Sequence, residues 1–191
     1  MYEGDFRIVG NYRHQWPEIN KAITTGHLGF DKKFFFFKDE IDVGILIAND
    51  NYAGFALNTF KIFVTGAYKK VIKGHEVRGG IQLGIVMKST DLSTQTFPNQ
   101  WVYQDGIFDP NMFNGEDDVK ASQAFFNMNL GFAWSHKFEK FKPTVGFSIF
   151  HVTRPKDTYF TTQTERLRTR QSVQVLVDVP INGPARDSQT M

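Results

Sequence analysis

Five histidines, His14, His27, His75, His136 and His151, are the first candidates for acid–base or metal chemistry. No two stand at i,i+2 or i,i+4, the spacings that let one strand or helix face present two ring nitrogens to zinc. They read as ordinary residues of turns and strand ends: His75 and His136 in turns, His151 near the end of a strand. Asp105, Asp109, Glu116, Asp117 and Asp118 make one long segment acidic. A calcium loop needs oxygen ligands at alternate positions and a closing Glu. Ile107, Phe108, Met112 and Phe113 break that register, so the segment reads as a solvated loop whose apolar members fold inward or meet a partner. Ser135-His136, and Ser148 with His151, hold the hydroxyl and imidazole of a hydrolase. No strained nucleophile turn or glycine-rich oxyanion hole accompanies them. The sequence is therefore read as non-enzymatic, with no catalytic residue, metal or cofactor. Lys61, Arg78 and Lys88 share a side with Glu76 and Gln82; they either line an anion-selective channel or pair across strands, and pairing is the reading adopted.

The elements that would position these groups are bounded by the totals. The chain has 191 residues, with 22 Lys+Arg against 20 Asp+Glu, so no net field draws it to nucleic acid or an acidic substrate. The lack of cysteine removes disulfides and thiolate chemistry together. Twenty phenylalanines dominate the aromatic content. No run approaches the ~18 apolar residues of a membrane-spanning helix; Phe34-Phe35-Phe36-Phe37 is closed off by Lys32, Lys33 and Lys38. Glu3, Asp5 and Arg7 stand where the apolar core of a secretory signal would lie, so the expectation is a signal already removed or a partial gene product.

A period of two runs through most of the chain. From Val77 to Lys88 the odd positions are Val77, Gly79, Ile81, Leu83, Ile85 and Met87; the even ones are Arg78, Gly80, Gln82, Gly84, Val86 and Lys88. Side chains two apart share one face of a strand, whereas a helix would scatter them. Ile41 to Ala48, Phe60 to Thr65 and Ala124 to Ser135 repeat the pattern; Phe6 to Tyr12, Thr24 to Phe30, Thr144 to Phe150 and Gln171 to Val179 show it more weakly. About eight strands are expected, the best of them 11 to 13 residues long. Gly66-Ala67-Tyr68 is read as one strand's end, and 69–74 and 136–142 as short polar connections. The segments 91–120 and 154–168 are long; the first contains the breakers Asp105-Gly106, Asp109-Pro110-Asn111 and Asn114-Gly115.

One buried face per strand fits either a soluble β-sandwich or a barrel solvated by acyl chains. Strand length, aromatics near strand ends (Tyr12, Trp16, Tyr68, Trp134, Phe150), polar opposite faces and alternating short and long connections favour the barrel. The fold class expected is thus all-β: an outer-membrane, antiparallel, up-and-down barrel over residues 1–180, with a C-terminal tail at 181–191. Ile45, Ile62, Ile81, Leu83, Ile85, Phe126, Met128, Leu130 and Phe132 are assigned to the lipid, and Lys61, Arg78, Gln82, Lys88, Asn127 and Asn129 to the lumen. Trp101, Tyr103, Phe108 and Phe113 are assigned to a partner-contact loop.

Particular residues then carry a likeness. Gly10-Asn11-Tyr12-Arg13-His14-Gln15-Trp16-Pro17 resembles the early strand and turn of the PorP/SprF family of type IX secretion membrane proteins. In order follow Asp42-Val43-Gly44-Ile45 with Asn49-Asp50, Leu57-Asn58-Thr59, Gly80-Ile81-Gln82-Leu83-Gly84, Lys88-Ser89 and Asp91-Leu92. Phe97-Pro98-Asn99-Gln100, Phe108-Asp109-Pro110, Val145-Gly146-Phe147-Ser148 and Arg154-Pro155-Lys156 complete the succession, over about residues 4 to 175. The resemblance implies a single-chain outer-membrane barrel, not known as an enzyme, that works with secretion components and secreted surface proteins such as gliding adhesins. It also implies more strands than the eight counted and a terminal aromatic that Ser188-Gln189-Thr190-Met191 lacks. Two other functions fit the pattern: a passive porin and a soluble sandwich binding module.

Overall fold

The computed structural model describes residues 5–18, 22–37, 39–52, 57–90, 96–113, 115, 122–139, 141–158 and 165–179. Among the described residues ten strands follow in chain order: β1 Phe6–Gln15, β2 Ile23–Phe36, β3 Asp39–Tyr52, β4 Leu57–Ile72, β5 His75–Thr90, β6 Trp101–Val102, β7 Ile107–Phe108, β8 Ser122–His136, β9 Lys142–Phe150 and β10 Arg170–Asp178. Eight of them form one antiparallel sheet in the order β1-β2-β3-β4-β5-β8-β9-β10; β6 and β7 pair separately. Every neighbour in the large sheet follows its predecessor in sequence, which is up-and-down topology. The sheet curls into a half-barrel, with β1 and β10 as its edges.

The longest strands have 14 to 16 residues, more than the periodicity indicated. The reason is plainest in β4, which continues through Lys69, Lys70, Val71 and Ile72 instead of stopping at Tyr68. These residues pair in register with His75 to Arg78, and the connection shrinks to Lys73-Gly74, both at positive φ (50° and 83°). Such a two-residue turn matches the twist of the flanking strands and lets pairing run to the hairpin tip. His75 and His136 likewise leave the turns: they begin β5 and end β8 and oppose each other in register. The only helical element among the described residues is a single 3-10 turn, Pro98–Gln100.

Register gives each face a uniform composition. Ile45↔Val64, Ile47↔Ile62, Ile62↔Ile85, Val64↔Leu83, Ile85↔Phe126 and Ile81↔Leu130 are aligned pairs on one face. Nothing covers that face among the described residues: Ile45 is 40%, Leu83 39% and Phe126 49% exposed. The other face carries Lys61↔Ala48, Thr65↔Gln82, Gln82↔Asn129 and Lys69↔Arg78. Phe63 and Val86 are the only hydrophobic residues buried below a tenth among those described, and both lie on this second face. A sandwich would bury the first face under a second sheet. With one layer and an uncovered apolar face, the sandwich reading is set aside.

The apolar face has a height that can be checked. From Val77 to Met87, β5 presents only apolar residues or glycine outward. At ~3.4 Å per residue this covers about 34 Å along the strand, or ~25 Å at the ~45° tilt of barrel strands. That equals the apolar band of an outer-membrane barrel.

Candidate functional site

The inner face is built from charges in register. Glu40 on β3 accepts from Lys69 at 2.7 Å and from Arg78 at 2.8 Å, and Arg78 also lies 3.6 Å from Asp42. One strand along, Lys142 donates to both oxygens of Glu76 at 2.9 Å, and Ser135 donates to the same carboxylate. Gln82 joins Thr65 at 3.1 Å and accepts from Asn129 at 2.8 Å, carrying the network through the middle of the sheet. Lys61 pairs with Asp50 at 2.7 Å. Charge-assisted bonds in a partly desolvated setting are the stronger kind, so this face holds a cross-strand lattice. The three basic residues singled out from sequence, Lys61, Arg78 and Lys88, each have an acidic partner.

Small residues shape the space above that lattice. Ala67, Gly80, Gly131, Ala133, Gly146 and Ser148 floor an inner-face groove of about 300 Å³, with Arg78 and Gln82 among its polar walls. A Cβ at Gly84 would overlap the Phe63 ring and the Ile62 carbonyl, so β5 has glycine there to let Phe63 lie across it. Phe150, expected at headgroup level, faces this inner side instead and carries the Arg170 guanidinium 4.4 Å above its ring. Its even position in β9 fixes that direction, because Phe150 pairs with Arg170 while the odd residues Val145 and Phe147 align with the outward Trp134 and Phe132.

The connection between β9 and β10 folds back over the sheet. β8 pairs with β9 only from Leu130 to Ser135, leaving its first half without that neighbour. Residues after β9 take its place. His151, at positive φ (57°), donates its backbone N–H to Asn129 Oδ1 at 3.0 Å and meets Asn127 Oδ1 through Nδ1 at 3.1 Å. Val152 N–H donates to the Met128 carbonyl at 2.9 Å, and the Thr153 hydroxyl to the Phe126 carbonyl at 3.2 Å. An amide oxygen can only accept, so the His151 proton sits on Nδ1. Burial, aided by the Arg170 charge, holds the His151 imidazole below its ordinary pKa. Farther on, Asp157 accepts from Lys88 at 2.6 and 2.7 Å and from Gln123 at 2.8 Å. The Lys156–Arg166 bridge and the Leu167-to-Pro155 hydrogen bond close the connection on itself. Asn127 and Asn129, assigned to the lumen from periodicity, are buried because this segment covers them.

The loop between β5 and β8 is organised differently. Gln100 is buried and ties three points of it together, accepting from the Phe97 N–H and donating to the carbonyls of Met112 and Pro110. Trp101 meets Phe108 edge-on at 4.9 Å across the β6–β7 hairpin. Tyr103 is 89% exposed, and Phe108 and Phe113 are also exposed. The four aromatics expected as a contact surface thus fall on one small module, with Trp101 half-buried as its anchor. Asn114, Glu116, Asp117 and Asp118 of the acidic segment lie outside the described residues, as does the 181–191 tail. The segment after β9 folds over the inner face through His151 to Thr153, a role that the sequence did not mark. Nothing in the sequence marked Asp157: it follows no periodic run, and its partners stand 69 and 34 positions away. Glu40 was findable, because a two-residue β4–β5 turn puts Lys69 and Arg78 opposite one another beside it.

Among the described residues no group of three or more His, Asp or Glu is arranged to hold a metal. No curated protein and no solved structure matches the chain. One protein family does, over residues 1–185: its description is type IX secretion system membrane protein PorP/SprF.

Proposed function

The chain belongs to the PorP/SprF family of type IX secretion system membrane proteins, and from that premise we propose that it serves in the outer membrane as a non-catalytic barrel that helps export or anchor cell-surface proteins such as gliding adhesins. The observation that carries the outer-membrane part is the outward band, free of charge from Ile41 to Ile47 on β3, Phe60 to Tyr68 on β4, Val77 to Met87 on β5 and Ala124 to Trp134 on β8, opposed by an inner face where Lys61, Lys69, Arg78, Lys88 and Lys142 pair with carboxylates. Acyl chains are the solvent that favours this division, because they penalise charge and leave no water for open backbone groups. Ile45, Ile62, Ile81, Leu83, Ile85, Phe126, Met128, Leu130 and Phe132 face lipid in this reading; Lys61, Arg78, Gln82, Lys88, Asn127 and Asn129 face the lumen.

The partner surface we assign is the rim bearing the long connections, where Trp101, Tyr103, Phe108 and Phe113 form a polar-rimmed aromatic module. Exposed aromatics held by a rigid base are the anchors protein partners use. Affinity purification from outer membranes tests this. The intact protein should co-purify with secretion components or a surface protein, and Tyr103→Ala with Phe113→Ala should lose that partner while the barrel still assembles. Recovery of the same partners by the double variant would overturn the assignment. The porin reading predicts a steady open conductance in planar bilayers; the inward-folded 151–158 segment favours a silent barrel.

A further inference from the structure

β1 and β10 are the two edges of a sheet that turns through half a barrel, and among the described residues no strand pairs with their far sides. Every residue of β1 except Gln15 and every residue of β10 except Ser172 is exposed. Val173 and Val175 are 67% exposed against 40% for Val145 on the adjoining strand, so the excess lies on the open side. Hydrocarbon cannot solvate a row of backbone N–H and C=O groups. What pairs with these edges must supply hydrogen bonds and a matching order of side chains.

Direction and stagger restrict the partner. β1 runs from the tight-turn rim to the long-connection rim and β10 runs back, so a strand that adds to β10 in the antiparallel sense runs as β1 does. The row of paired residues that begins at Phe6 passes through Lys32, Gly66, Ile81 and Leu130 to Gln171. Lys32 lies five residues before Phe37 at one tight turn, and Gly66 seven before Lys73 at the next, so the row climbs about one residue per strand. Over eight strands that climb leads from the level of Phe6 to the level of His14. Setting Gln171 opposite a His14 aligns Asp178 with Arg7, Leu176 with Val9 and Gln174 with Asn11 inward, and Val177 with Ile8 and Val173 with Tyr12 outward. Each edge has a single apolar residue on its inner face, Val9 and Leu176, and the two meet. A slip of two residues one way sets Arg170 against Arg13 and Asp178 against Asp5. The opposite slip sets Asp178 against Val9 and Leu176 against Asn11. Opposite charges and apolar pairs directly across strands are favourable, and like charges are not. Stagger and side-chain order thus select the same register independently.

We propose that β10 of one copy pairs with β1 of a second copy in this register, and the reverse at a second seam, so that two half-barrels close one barrel of sixteen strands, eight from each copy. The inference rests on the membrane reading above and deepens it by naming the partner of the sheet edges. A two-fold axis along the barrel relates the copies, so both keep the same rim on the same side of the membrane. A climb of one residue per strand is the ratio that gives closed barrels a strand tilt of ~36°, within the ~35–45° of outer-membrane barrels. Arg7 keeps its bonds to Asp31 and gains Asp178, as the five N–H donors of a guanidinium allow.

The chain has no cysteine, so introduced thiols report the seams directly. Full-length chains carrying Val9→Cys and chains carrying Leu176→Cys, under different tags, are refolded together into phosphatidylcholine vesicles and oxidised. Residues opposed across a seam have Cα atoms about 4.5–5.5 Å apart, within the ~4.4–6.8 Å that a disulfide spans. The mixture should give a covalent heterodimer bearing both tags. A mixture of Val9→Cys with Gln174→Cys, diagonal at about 7–8 Å, should give about tenfold less. The wild-type chain, extracted in detergent, should sediment with the mass of two copies. A mass of one copy overturns the seam, because strands other than a second copy's then cover the edges. Absence of the heterodimer, or equal linkage in the two mixtures, overturns it as well. So does a chain with both Val9→Cys and Leu176→Cys that closes its disulfide within itself, since β10 then meets its own β1. Heat-modifiable migration on gels, read in parallel, reports barrel insertion. If the wild type inserts as a single copy, only the seam fails; if it does not insert, the membrane reading fails with it.

Discussion

The odd and even residues of β5 belong to one backbone yet live under opposite rules. Outward, Ile81, Leu83 and Ile85 align with Leu130, Val64 and Phe126, and no charge interrupts them. Inward, Arg78, Gln82 and Lys88 each find a polar or acidic partner on a neighbouring strand or on the segment after β9. Affinity for hydrocarbon needs only that each outward residue be apolar, so many side chains would serve at each position. The inner face needs particular partners at particular registers. The outward face should therefore respond to polarity alone, and the inner face to identity and shape.

The largest effect expected tests the first half. Leu83→Arg places a charge in mid-band and should cost about 2–4 kcal/mol, enough to prevent assembly, while Gln82→Arg one residue away should assemble. Folded yield on semi-native gels measures both, and equal tolerance would erase the distinction between the faces.

Next comes shape. Gly84→Val forces a side chain into the Phe63 ring and should destabilise by about 1–3 kcal/mol in urea unfolding. Gly79→Ala on the outward face meets nothing within 4 Å and should be near neutral. The third test concerns charge identity: Asp157→Asn keeps the shape but weakens the bond to Lys88, a loss on the order of 1 kcal/mol. The segment after β9 should then be cut sooner by protease while the strands stay resistant.

The smallest effect is the dependence on pH. His151 binds protons less readily in place than when released, because burial and Arg170 disfavour its charged form. Its contribution is therefore complete above the ordinary histidine pKa of about 6.5 and is lost as the pH falls through and below that value. Hydrogen exchange at Val152, corrected for intrinsic rate, should lose protection at about pH 5.5 relative to about pH 7.5. Protection that rose on acidification would mean that the imidazole is favoured in its charged form.

Much of this was legible in the chain. Alternation from Val77 to Lys88 and from Ala124 to Ser135 fixed which residues share a face, because a period of two leaves no freedom once a strand is granted. The eight long strands and their order follow from the turn residues between them. Strand ends were less legible: Lys69 and Lys70 look like a turn because they are charged, yet they belong to β4. The inner lattice was half visible, with its cations apparent and its acids, Glu40 and Asp157, not assigned to them.

Periodicity and polarity by themselves determined the all-β class, the two faces and the polar nature of the inner one, since those depend only on neighbours along the chain. The likeness in ordered motifs pointed to the family. Tertiary structure decided what depends on register and on returning chain: that Glu40 holds both Lys69 and Arg78, that His75 meets His136, and that the 151–158 segment folds inward. A hydrogen bond between residues 69 positions apart, as between Lys88 and Asp157, leaves no periodic trace in either segment. It exists only once the sheet has curled and brought them within reach.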